Sequence, residues 1–179
     1  MKLLVIGAMG NIGRRLMAAF PGSVGMDRVP GADIVADLAT IDYAAPAIRD
    51  VLASVDGVIH VATSADVDAP DDLHYQAVID AARLLDACQR VPVPRVILPS
   101  SDWAEPKAGW VKINTYGHSK RVFETMAAMY QHSTGMRCIA LRIGWVAPPG
   151  DLEGAAAWLK ANYWSTERLL AEVAIALGP

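Results

Sequence analysis

Tyr116 and Lys120 have the residue types and the spacing that proton transfer requires. They lie four residues apart in the segment Tyr116-Gly117-His118-Ser119-Lys120, and positions i and i+4 share one face of a helix. A free tyrosine has a pKa of about 10. A neighbouring ammonium favours the phenolate, so Lys120 is expected to lower the pKa of Tyr116. The pair is a candidate acid/base centre, whereas His118 faces elsewhere and is expected at the surface.

A glycine-rich turn near the start of the chain is the second chemical feature. Gly7, Gly10 and Gly13 follow a short apolar segment and open a helix-like one. Glycines at this spacing let the backbone approach a pyrophosphate, whose charge is met by amide groups at the helix N-terminus. The turn therefore predicts a dinucleotide site. Its expected contacts come from Gly7, Met9, Gly10, Asn11, Ile12 and Gly13.

Acidic residues beyond this turn bear on the choice of dinucleotide. Asp27 ends the next strand-like segment, twenty residues after Gly7. A carboxylate there can accept hydrogen bonds from the adenosine ribose and repel a 2'-phosphate, which favours NAD over NADP. Arg28 keeps NADP possible, because a guanidinium can pair with that phosphate. Asp37 and Leu38 are candidates for lining the adenine pocket. A plain turn is the alternative for these positions and for Asp27.

Strand-like and helix-like segments alternate along the chain, and these elements must position the candidate residues. The strand-like runs are short and rich in Val, Ile and Leu, as in strands covered on both faces. Strands are predicted at 2–6, 23–26, 33–36, 57–61, 95–99 and 137–143, and helices at 11–20, 43–54, 73–90, 116–133 and 166–177. This order predicts an α/β fold with a doubly wound parallel sheet, the Rossmann architecture.

The composition is that of one soluble domain over residues 1–179. Hydrophobic residues make up 53% and charged residues 20%, and the net charge is -3; a chain of this length buries a continuous core. No apolar run is long enough to cross a bilayer, and residues 2–6 are expected to form a buried strand rather than a signal peptide. The mild charge predicts no nucleic-acid surface. Cys88 and Cys138 lack metal-ligand spacing, so reduced thiols, a cytoplasmic location and no metal are expected.

Several segments, in this order, resemble the motifs of the extended short-chain dehydrogenase/reductase family. They are Gly7 to Gly13, Asp27, Asp37-Leu38, Asp56 to Ala62, Ser100-Ser101, Tyr116 to Lys120 and Leu141-Arg142, and together they span roughly residues 1–145. Within that family the chain most resembles uronate dehydrogenases and related NAD-dependent epimerase/dehydratase proteins. This narrower likeness rests on segments 99–102, 116–124, 141–144 and 163–165.

The resemblance implies a role for each matching residue. Tyr116 would be the acid/base, Lys120 would lower its pKa and bind the nicotinamide ribose, and Ser101 would orient the substrate. Ser100 is a competing assignment for Ser101, which is preferred because it lies one step further beyond the strand. Further cofactor contacts are expected from Val61, Ala62 and Thr63. Further substrate contacts are expected from Ser64, Asp102, Trp103 and Trp145.

Other residues near the predicted cleft have two interpretations each. The tryptophans Trp103, Trp110, Trp145 and Trp164 can stack on a sugar ring or on nicotinamide, or can close the core. Asp102 can bind hydroxyls or simply form a turn. Arg142 can touch a carboxylate substrate, but anchoring a loop is the preferred interpretation.

The sequence departs from the family pattern in two ways. Ala77 stands where the family has an asparagine that supports a proton-relay water. The chain therefore either uses another relay, through Gln76 or His74, or catalyses weakly. Family members also continue well past the sixth strand, whereas here residues 145–179 form a minimal substrate-binding segment. The cover over the substrate is expected to be small, supplied by a partner subunit, or missing.

These features lead to one preferred function and two alternatives. The preferred one is an NAD-dependent oxidoreductase that transfers hydride between nicotinamide and a small hydroxylated or carbonyl substrate, such as a sugar or sugar acid. The alternatives are an NAD-dependent sugar epimerase or dehydratase, and a non-catalytic NAD(P)-binding regulatory module. Helices 73–90 and 116–133 are apolar over wide arcs, which predicts a homodimer through them; burial in their own core is the alternative.

Overall fold

Six strands and six α-helices are found in the part of the chain that the structure describes. The computed structural model describes residues 1–105 and 113–178, so the prediction for Trp110 lies outside the described residues. The strands are β1 (Leu3–Ile6), β2 (Val24–Asp27), β3 (Ile34–Val35), β4 (Gly57–His60), β5 (Arg95–Ser100) and β6 (Arg137–Arg142). The helices are α1 (Asn11–Ala19), α2 (Pro46–Ala53), α3 (Asp71–Arg90), α4 (Thr115–Thr134), α5 (Ala157–Ala161) and α6 (Thr166–Leu177), with a short 3-10 helix at Asp102–Ala104.

All six strands belong to one parallel sheet with the order β3-β2-β1-β4-β5-β6. This order confirms the predicted doubly wound Rossmann architecture. After β1 the chain adds β2 and β3 on one side of that strand, and then β4, β5 and β6 on the other side. The strand order therefore reverses between β1 and β4. Open α/β sheets bind ligands at such a switch point, outside the carboxyl ends of the strands. The glycine turn after β1 and the segment after β4 both lie there.

The sheet is buried on both faces, and successive side chains of β1 point alternately into the two cores. Leu4 and Ile6 pack into one core with residues of α2, α3 and α4, whereas Leu3 and Val5 pack into a second core with residues of α1 and α6. All four side chains are at most 1% exposed. Each face therefore needs apolar side chains, which explains why the strands read as continuous apolar runs.

The predicted elements differ from the structure mainly at their ends. Helix α2 begins at Pro46 rather than at residue 43, because Asp42 Oδ1 accepts a hydrogen bond from Ala44 N at 2.8 Å and holds a turn there. A proline suits the first position of a helix, where its missing N–H costs nothing. Helix α5 and the 3-10 helix were not predicted; both are too short to show a periodic pattern.

The segment after β6 is part of the second core. Trp145 N donates to Asn162 O at 2.8 Å, and Trp164 N donates to Trp145 O at 2.9 Å. A Cβ at Gly144 would overlap the Trp164 indole, so glycine is required for this packing. The core-closing interpretation of Trp164, which is 9% exposed, is therefore favoured. None of the helices in the described residues is long and apolar enough to span a membrane.

Candidate active site

The glycine turn after β1 is packed tightly on two sides. Gly7 has a φ of +90°, and a Cβ there would lie 2.7 Å from Ala62 N and 2.8 Å from the Val61 carbonyl carbon. A Cβ at Gly13 would overlap the Gly7 carbonyl oxygen. Only glycine permits the turn to lie this close to the end of β4 and to the start of α1.

The third side of the turn, at Gly10, is open. A Cβ at Gly10 would have one neighbour within 4 Å, the Gly7 carbonyl oxygen at 3.3 Å. The first N–H groups of a helix have no intrahelical partner, and among the described residues no side chain caps α1. The Asn11 amide is turned away, since its Nδ2 donates to Val146 O at 2.7 Å. An open cradle with free N–H groups fits the pyrophosphate of a dinucleotide.

Asp27 lies beside this cradle at the end of β2. Its Oδ2 accepts a hydrogen bond from Met9 N at 2.9 Å, and its Oδ1 accepts one from Val29 N at 3.3 Å. The carboxylate is thus fixed next to the turn, where an adenosine ribose would follow the pyrophosphate. Its neighbour Arg28 is exposed.

Asp37 and Leu38 have structural roles in the loop after β3. Asp37 Oδ1 accepts a hydrogen bond from Ala39 N at 2.9 Å, which closes a turn. Leu38 is 8% exposed and belongs to the core formed with α2, α3 and α4. Its carbonyl accepts a hydrogen bond from Arg83 Nη1 at 2.6 Å. These contacts favour the turn interpretation of both residues over contact with adenine.

Tyr116, Ser101 and Lys120 meet at the carboxyl edge of the sheet. Asn114 caps α4 by accepting a hydrogen bond from Gly117 N at 2.9 Å, which places Tyr116 in the first turn. Ser101 follows β5 directly, and its side chain is hydrogen-bonded to the Tyr116 hydroxyl. Lys120 Nζ lies 4.9 Å from the centroid of the Tyr116 ring.

Lys120 also connects this centre to the segment that follows β4. Its Nζ donates to Thr63 Oγ1 at 3.2 Å. Val61 and Ala62, in the same segment, are the residues against which Gly7 packs. The candidate acid/base centre and the glycine turn are therefore joined by residues 61–63, all half-buried. This juxtaposition is what a reaction at a bound dinucleotide requires.

Burial is the main cause of the pKa shifts of Tyr116 and Lys120. Tyr116 is 8% exposed, and desolvation raises its pKa above the ordinary value, with the Ser101 hydrogen bond acting in the opposite direction. Burial lowers the pKa of Lys120 to about 7. The expectation that Lys120 lowers the pKa of Tyr116 is wrong for the protein by itself. With its pKa lowered to about 7, the Lys120 amine is uncharged at the higher pH where the phenol titrates, so it does not offset the desolvation of the phenol.

Ser100, the competing assignment, belongs to a different network. Its Oγ donates to Glu124 Oε1 at 2.6 Å. Glu124 also accepts two hydrogen bonds from Arg142, at 2.7 and 2.9 Å. Arg142 Nη1 lies 2.9 Å from Glu105 Oε2. With two carboxylates as partners, Arg142 anchors the segment after β5, as preferred from the sequence, and Ser101 is the serine that faces Tyr116.

The four residues predicted to contact the substrate differ in how they lie relative to Tyr116. The Trp103 ring makes an edge contact with Tyr116, with 6.3 Å between centroids, and is half-buried. Trp145 packs edge-on against Tyr163 at 6.2 Å. Ser64 Oγ accepts a hydrogen bond from Asp66 N at 3.2 Å, and Asp102 is exposed at the start of the 3-10 helix. Trp103 is therefore the residue of this group that directly lines the acid/base centre.

Two features of the site were missed in the sequence. His60, at the end of β4, is fully buried, and neither of its ring nitrogens has a hydrogen-bond partner within the described residues. Burial and Lys120 lower its pKa to about 3. Gly117 lets the 3-10 helix lie close to the start of α4, because a Cβ at this position would overlap the Trp103 carbonyl oxygen. A glycine inside the first turn of a helix was the available signal for this close approach.

The described residues contain no group of three or more His, Cys, Asp or Glu side chains that could hold a metal ion. Cys88 and Cys138 are both buried and free. Desolvation raises the pKa of both thiols.

The sheet order, the glycine cradle and the Ser101, Tyr116 and Lys120 cluster define a Rossmann-fold protein built to use a dinucleotide. The chain belongs to the NAD dependent epimerase/dehydratase family, whose model matches residues 3–162. This confirms the resemblance predicted from the sequence, together with NAD as the cofactor of the family. None of the curated proteins matches the sequence significantly.

Solved structures agree with this assignment. A mutated uronate dehydrogenase is 28% identical, with a TM-score of 0.71, and the match covers 93% of this chain and 65% of that one. A short-chain dehydrogenase/reductase superfamily protein from Agrobacterium tumefaciens with bound NAD is 25% identical, with a TM-score of 0.70, over 85% and 52% of the two chains. MoeE5 in complex with UDP-glucuronic acid and NAD is 26% identical, with a TM-score of 0.69, over 84% and 56%. The chain thus spans half to two thirds of the length of these proteins.

Proposed function

We propose that the protein is an NAD-dependent oxidoreductase that interconverts a hydroxyl and a carbonyl group on a small substrate, a sugar or sugar acid. The observation that carries the proposal is the contact of Tyr116 with both Ser101 and Lys120, beside residues 61–63 and the glycine turn. A phenol within hydrogen-bond reach of the reacting oxygen is a suitable proton partner for hydride transfer.

Each residue has a defined task in this proposal. The N–H groups at the start of α1 would bind the pyrophosphate of NAD, Asp27 its adenosine ribose and Lys120 its nicotinamide ribose. NAD, when bound, supplies the hydride acceptor. If a carbinol is oxidised, the hydrogen of its C–H bond would leave as hydride and its O–H proton would move to the phenolate oxygen of Tyr116, while Ser101 Oγ orients the reacting oxygen. In the reverse direction the protonated Tyr116 gives its proton to the carbonyl oxygen.

The surroundings of Tyr116 support a hydroxylated substrate. The half-buried Trp103 ring, which contacts Tyr116, would offer an aromatic surface to a sugar ring bound there. Similarity to a uronate dehydrogenase and to a protein that holds UDP-glucuronic acid supports a sugar acid. Arg142 is not a candidate to pair with the carboxylate of such a substrate, because Glu124 and Glu105 already neutralise it.

The test is to incubate the protein with NAD, or with NADP, and a panel of uronic acids, aldoses and short alcohols. Oxidation is followed by the absorbance of reduced nicotinamide. Tyr116→Phe is expected to lower the rate by at least about 100-fold, the usual contribution of a general acid/base. Tyr130→Phe, in the same helix but remote from Ser101, is the matched control and should retain activity.

Other outcomes would favour the alternatives. Isomerisation of a UDP-sugar without net formation of reduced nicotinamide, detected by NMR, would favour an epimerase. Binding of NAD without turnover on the whole panel would favour a regulatory module. Either result would contradict the oxidoreductase proposal.

We also propose that the protein forms a homodimer through α3 and α4. These helices pack together and expose several large apolar side chains: Leu73 (50%), Tyr75 (60%), Ile79 (52%), Val122 (39%) and Met129 (61%). Packed against the same two helices of a second subunit, α3 and α4 would bury this surface in a four-helix bundle. The free state of Cys88 and Cys138 supports the cytoplasmic location, which stays a prediction.

A further inference from the structure

His74 is a buried polar residue without an assigned role, and it lies against the acid/base centre. Its side chain is 2% exposed, while its neighbours Leu73 and Tyr75 are 50% and 60% exposed. The His74 and Tyr116 rings meet edge to face, with 5.5 Å between centroids. The fourth residue of α3 is therefore turned inward, onto the proposed proton acceptor.

His74 Nε2 has no hydrogen-bond partner within the described residues. Leaving a buried ring nitrogen unpaired costs free energy, and most such groups in proteins bond to a protein atom or to a buried water. The adjacent polar side chain, Gln76, does not share this orientation. Gln76 Nε2 donates to Asp80 Oδ1 at 2.8 Å within its own helix. Of the two residues considered in place of the missing asparagine, His74 is the one with a buried ring nitrogen that has no hydrogen-bond partner within the described residues.

Lys120 is the group that can use this nitrogen. An ammonium has three N–H donors, and within the described residues Lys120 makes one hydrogen bond, to Thr63. Its other close contacts are the rings of Tyr116 and Phe123, at 4.9 and 5.0 Å. Lys120 is also near enough to His74 to act, after burial, as the second cause that lowers the pKa of that imidazole. His74 is therefore neutral near pH 7 and presents a lone pair rather than a charge.

We propose that His74 is a positioning residue for Lys120, whose ammonium donates to His74 Nε2 through one buried water. This inference rests on the proposed function, because its consequence for turnover requires that Tyr116 exchange protons. A neutral acceptor facing the amine favours its charged form. The charged form in turn favours the phenolate of Tyr116, so loss of His74 would weaken the acid/base pair without removing either member.

Other groups near Lys120 must be considered in any titration. His60 faces it from β4, and Lys120 lowers the pKa of that fully buried imidazole. Tyr116 faces it from the preceding turn of α4. Asp66 and Asp71 act on His74 and raise its pKa, against the larger effects of burial and Lys120. His60, Tyr116, Asp66 and Asp71 are unchanged in the variants below, so a shift between variants reports on position 74.

The experiment is a titration of Lys120 by NMR in the full chain, with 13C-labelled lysine and the resonance assigned by its loss in Lys120→Arg. His74→Leu is expected to move the midpoint of Lys120 down by about one pH unit, because the uncharged amine is then favoured. His74→Gln, which keeps a polar acceptor, is expected to restore the midpoint to within a few tenths of the wild-type value. His118→Leu removes an exposed histidine two residues from Lys120 and should leave the midpoint unchanged.

An unchanged midpoint in His74→Leu, with the fold confirmed by its amide spectrum, would overturn the proposal. If His74→Leu does not fold, the same comparison is made with His74→Met. The titration needs neither substrate nor NAD, so a shift without any turnover would contradict only the proposed function. Where turnover is found, His74→Leu should lower kcat about tenfold with little change in KM, and His74→Gln should recover most of it. A purely structural role of His74 would not produce a shifted Lys120 midpoint in His74→Leu together with recovery of the midpoint and of kcat in His74→Gln.

Discussion

Asp27 Oδ2 accepts a hydrogen bond from the backbone N–H of Met9, at 2.9 Å between the two heavy atoms. The contact joins the end of β2 to the glycine turn after β1 and holds the carboxylate beside the open cradle. A second oxygen of the same group accepts from Val29 N. The carboxylate is thus positioned by the protein before any ligand binds.

Asp27→Asn should reduce the preference for NAD over NADP. The amide keeps an acceptor for Met9 N but no longer repels a 2'-phosphate, so the ratio of the two dissociation constants should fall roughly tenfold, equivalent to about 1.4 kcal/mol. Calorimetric titration with each cofactor measures this without a substrate. Asp42→Asn is the control, since Asp42 holds a similar turn through Ala44 N. Unchanged selectivity in Asp27→Asn would refute the ribose assignment.

Gly13→Ala should abolish NAD binding and destabilise the fold. Its Cβ would overlap the Gly7 carbonyl oxygen, which is backbone and cannot move aside without displacing the turn. Overpacking of this kind costs roughly 1–3 kcal/mol. Denaturant unfolding and NAD titration measure the two effects. Gly154→Ala is the control, because a Cβ at Gly154 meets nothing within 4 Å. Normal NAD affinity in Gly13→Ala would show that the turn is not the cofactor site.

Oxidation should become faster as the pH rises above neutrality, whereas the rate of carbonyl reduction should stay constant for as long as the phenol remains protonated. Burial raises the pKa of Tyr116, so the phenol is protonated near pH 7 and acts there as an acid rather than a base. Raising the pH produces the phenolate that oxidation requires. Initial rates in both directions over a pH series test this. An oxidation rate that is independent of pH up to 9 would mean that another group accepts the proton.

Stability should fall in mild acid because of His60. Burial and Lys120 lower its pKa from 6.5 to about 3 in the folded chain. Between these values the unfolded chain binds a proton that the folded chain does not, so the free energy of unfolding decreases as the pH falls from 6.5 towards 3. From pH 7.5 to 5 the loss from this group is on the order of 2 kcal/mol.

Urea unfolding of His60→Leu at the same two pH values should show a smaller loss than the wild type. His118→Leu, which removes an exposed histidine, should behave as the wild type does. Equal losses in all three proteins would show that His60 is protonated without penalty in the fold.

The α3 and α4 surface should determine the oligomeric state. Light scattering at micromolar concentration should give about twice the chain mass of 19.1 kDa. The double variant Tyr75→Glu with Ile79→Glu places charges on this apolar surface and should be monomeric. Ile175→Glu, on α6, changes an isoleucine that is 69% exposed and should leave the dimer intact. A monomeric wild type would exclude the interface.

Much of the fold could be read from local sequence patterns. Six apolar runs alternating with helical segments predict a parallel sheet, because strands covered on both faces need apolar side chains throughout. All six predicted strands are present, and the five predicted helices are present with shifted ends. The ends were less predictable because caps decide them: Asn114 starts α4, and the Asp42 turn delays α2 until Pro46.

Local sequence patterns predicted only part of the candidate site. The spacing of Tyr116 and Lys120, and of Gly7, Gly10 and Gly13, is set by the helix repeat and by the need for close backbone approach, so these groups could be identified from the sequence alone. For the two adjacent serines, the sequence preferred Ser101 from its position beyond the strand, but it did not show that Ser100 is bonded to Glu124, because that contact joins distant segments.

The pKa values of Tyr116 and Lys120 were decided by the tertiary structure. The sequence places an amine beside a phenol, which favours the phenolate, but it does not show how deeply the two are buried. The fold removes both from water, so that the pKa of Tyr116 rises and the pKa of Lys120 falls to about 7. The fold also turns His74 inward between exposed neighbours. Local spacing determines which residues are neighbours on one element; desolvation depends on every element packed around them, and only the folded chain brings those together.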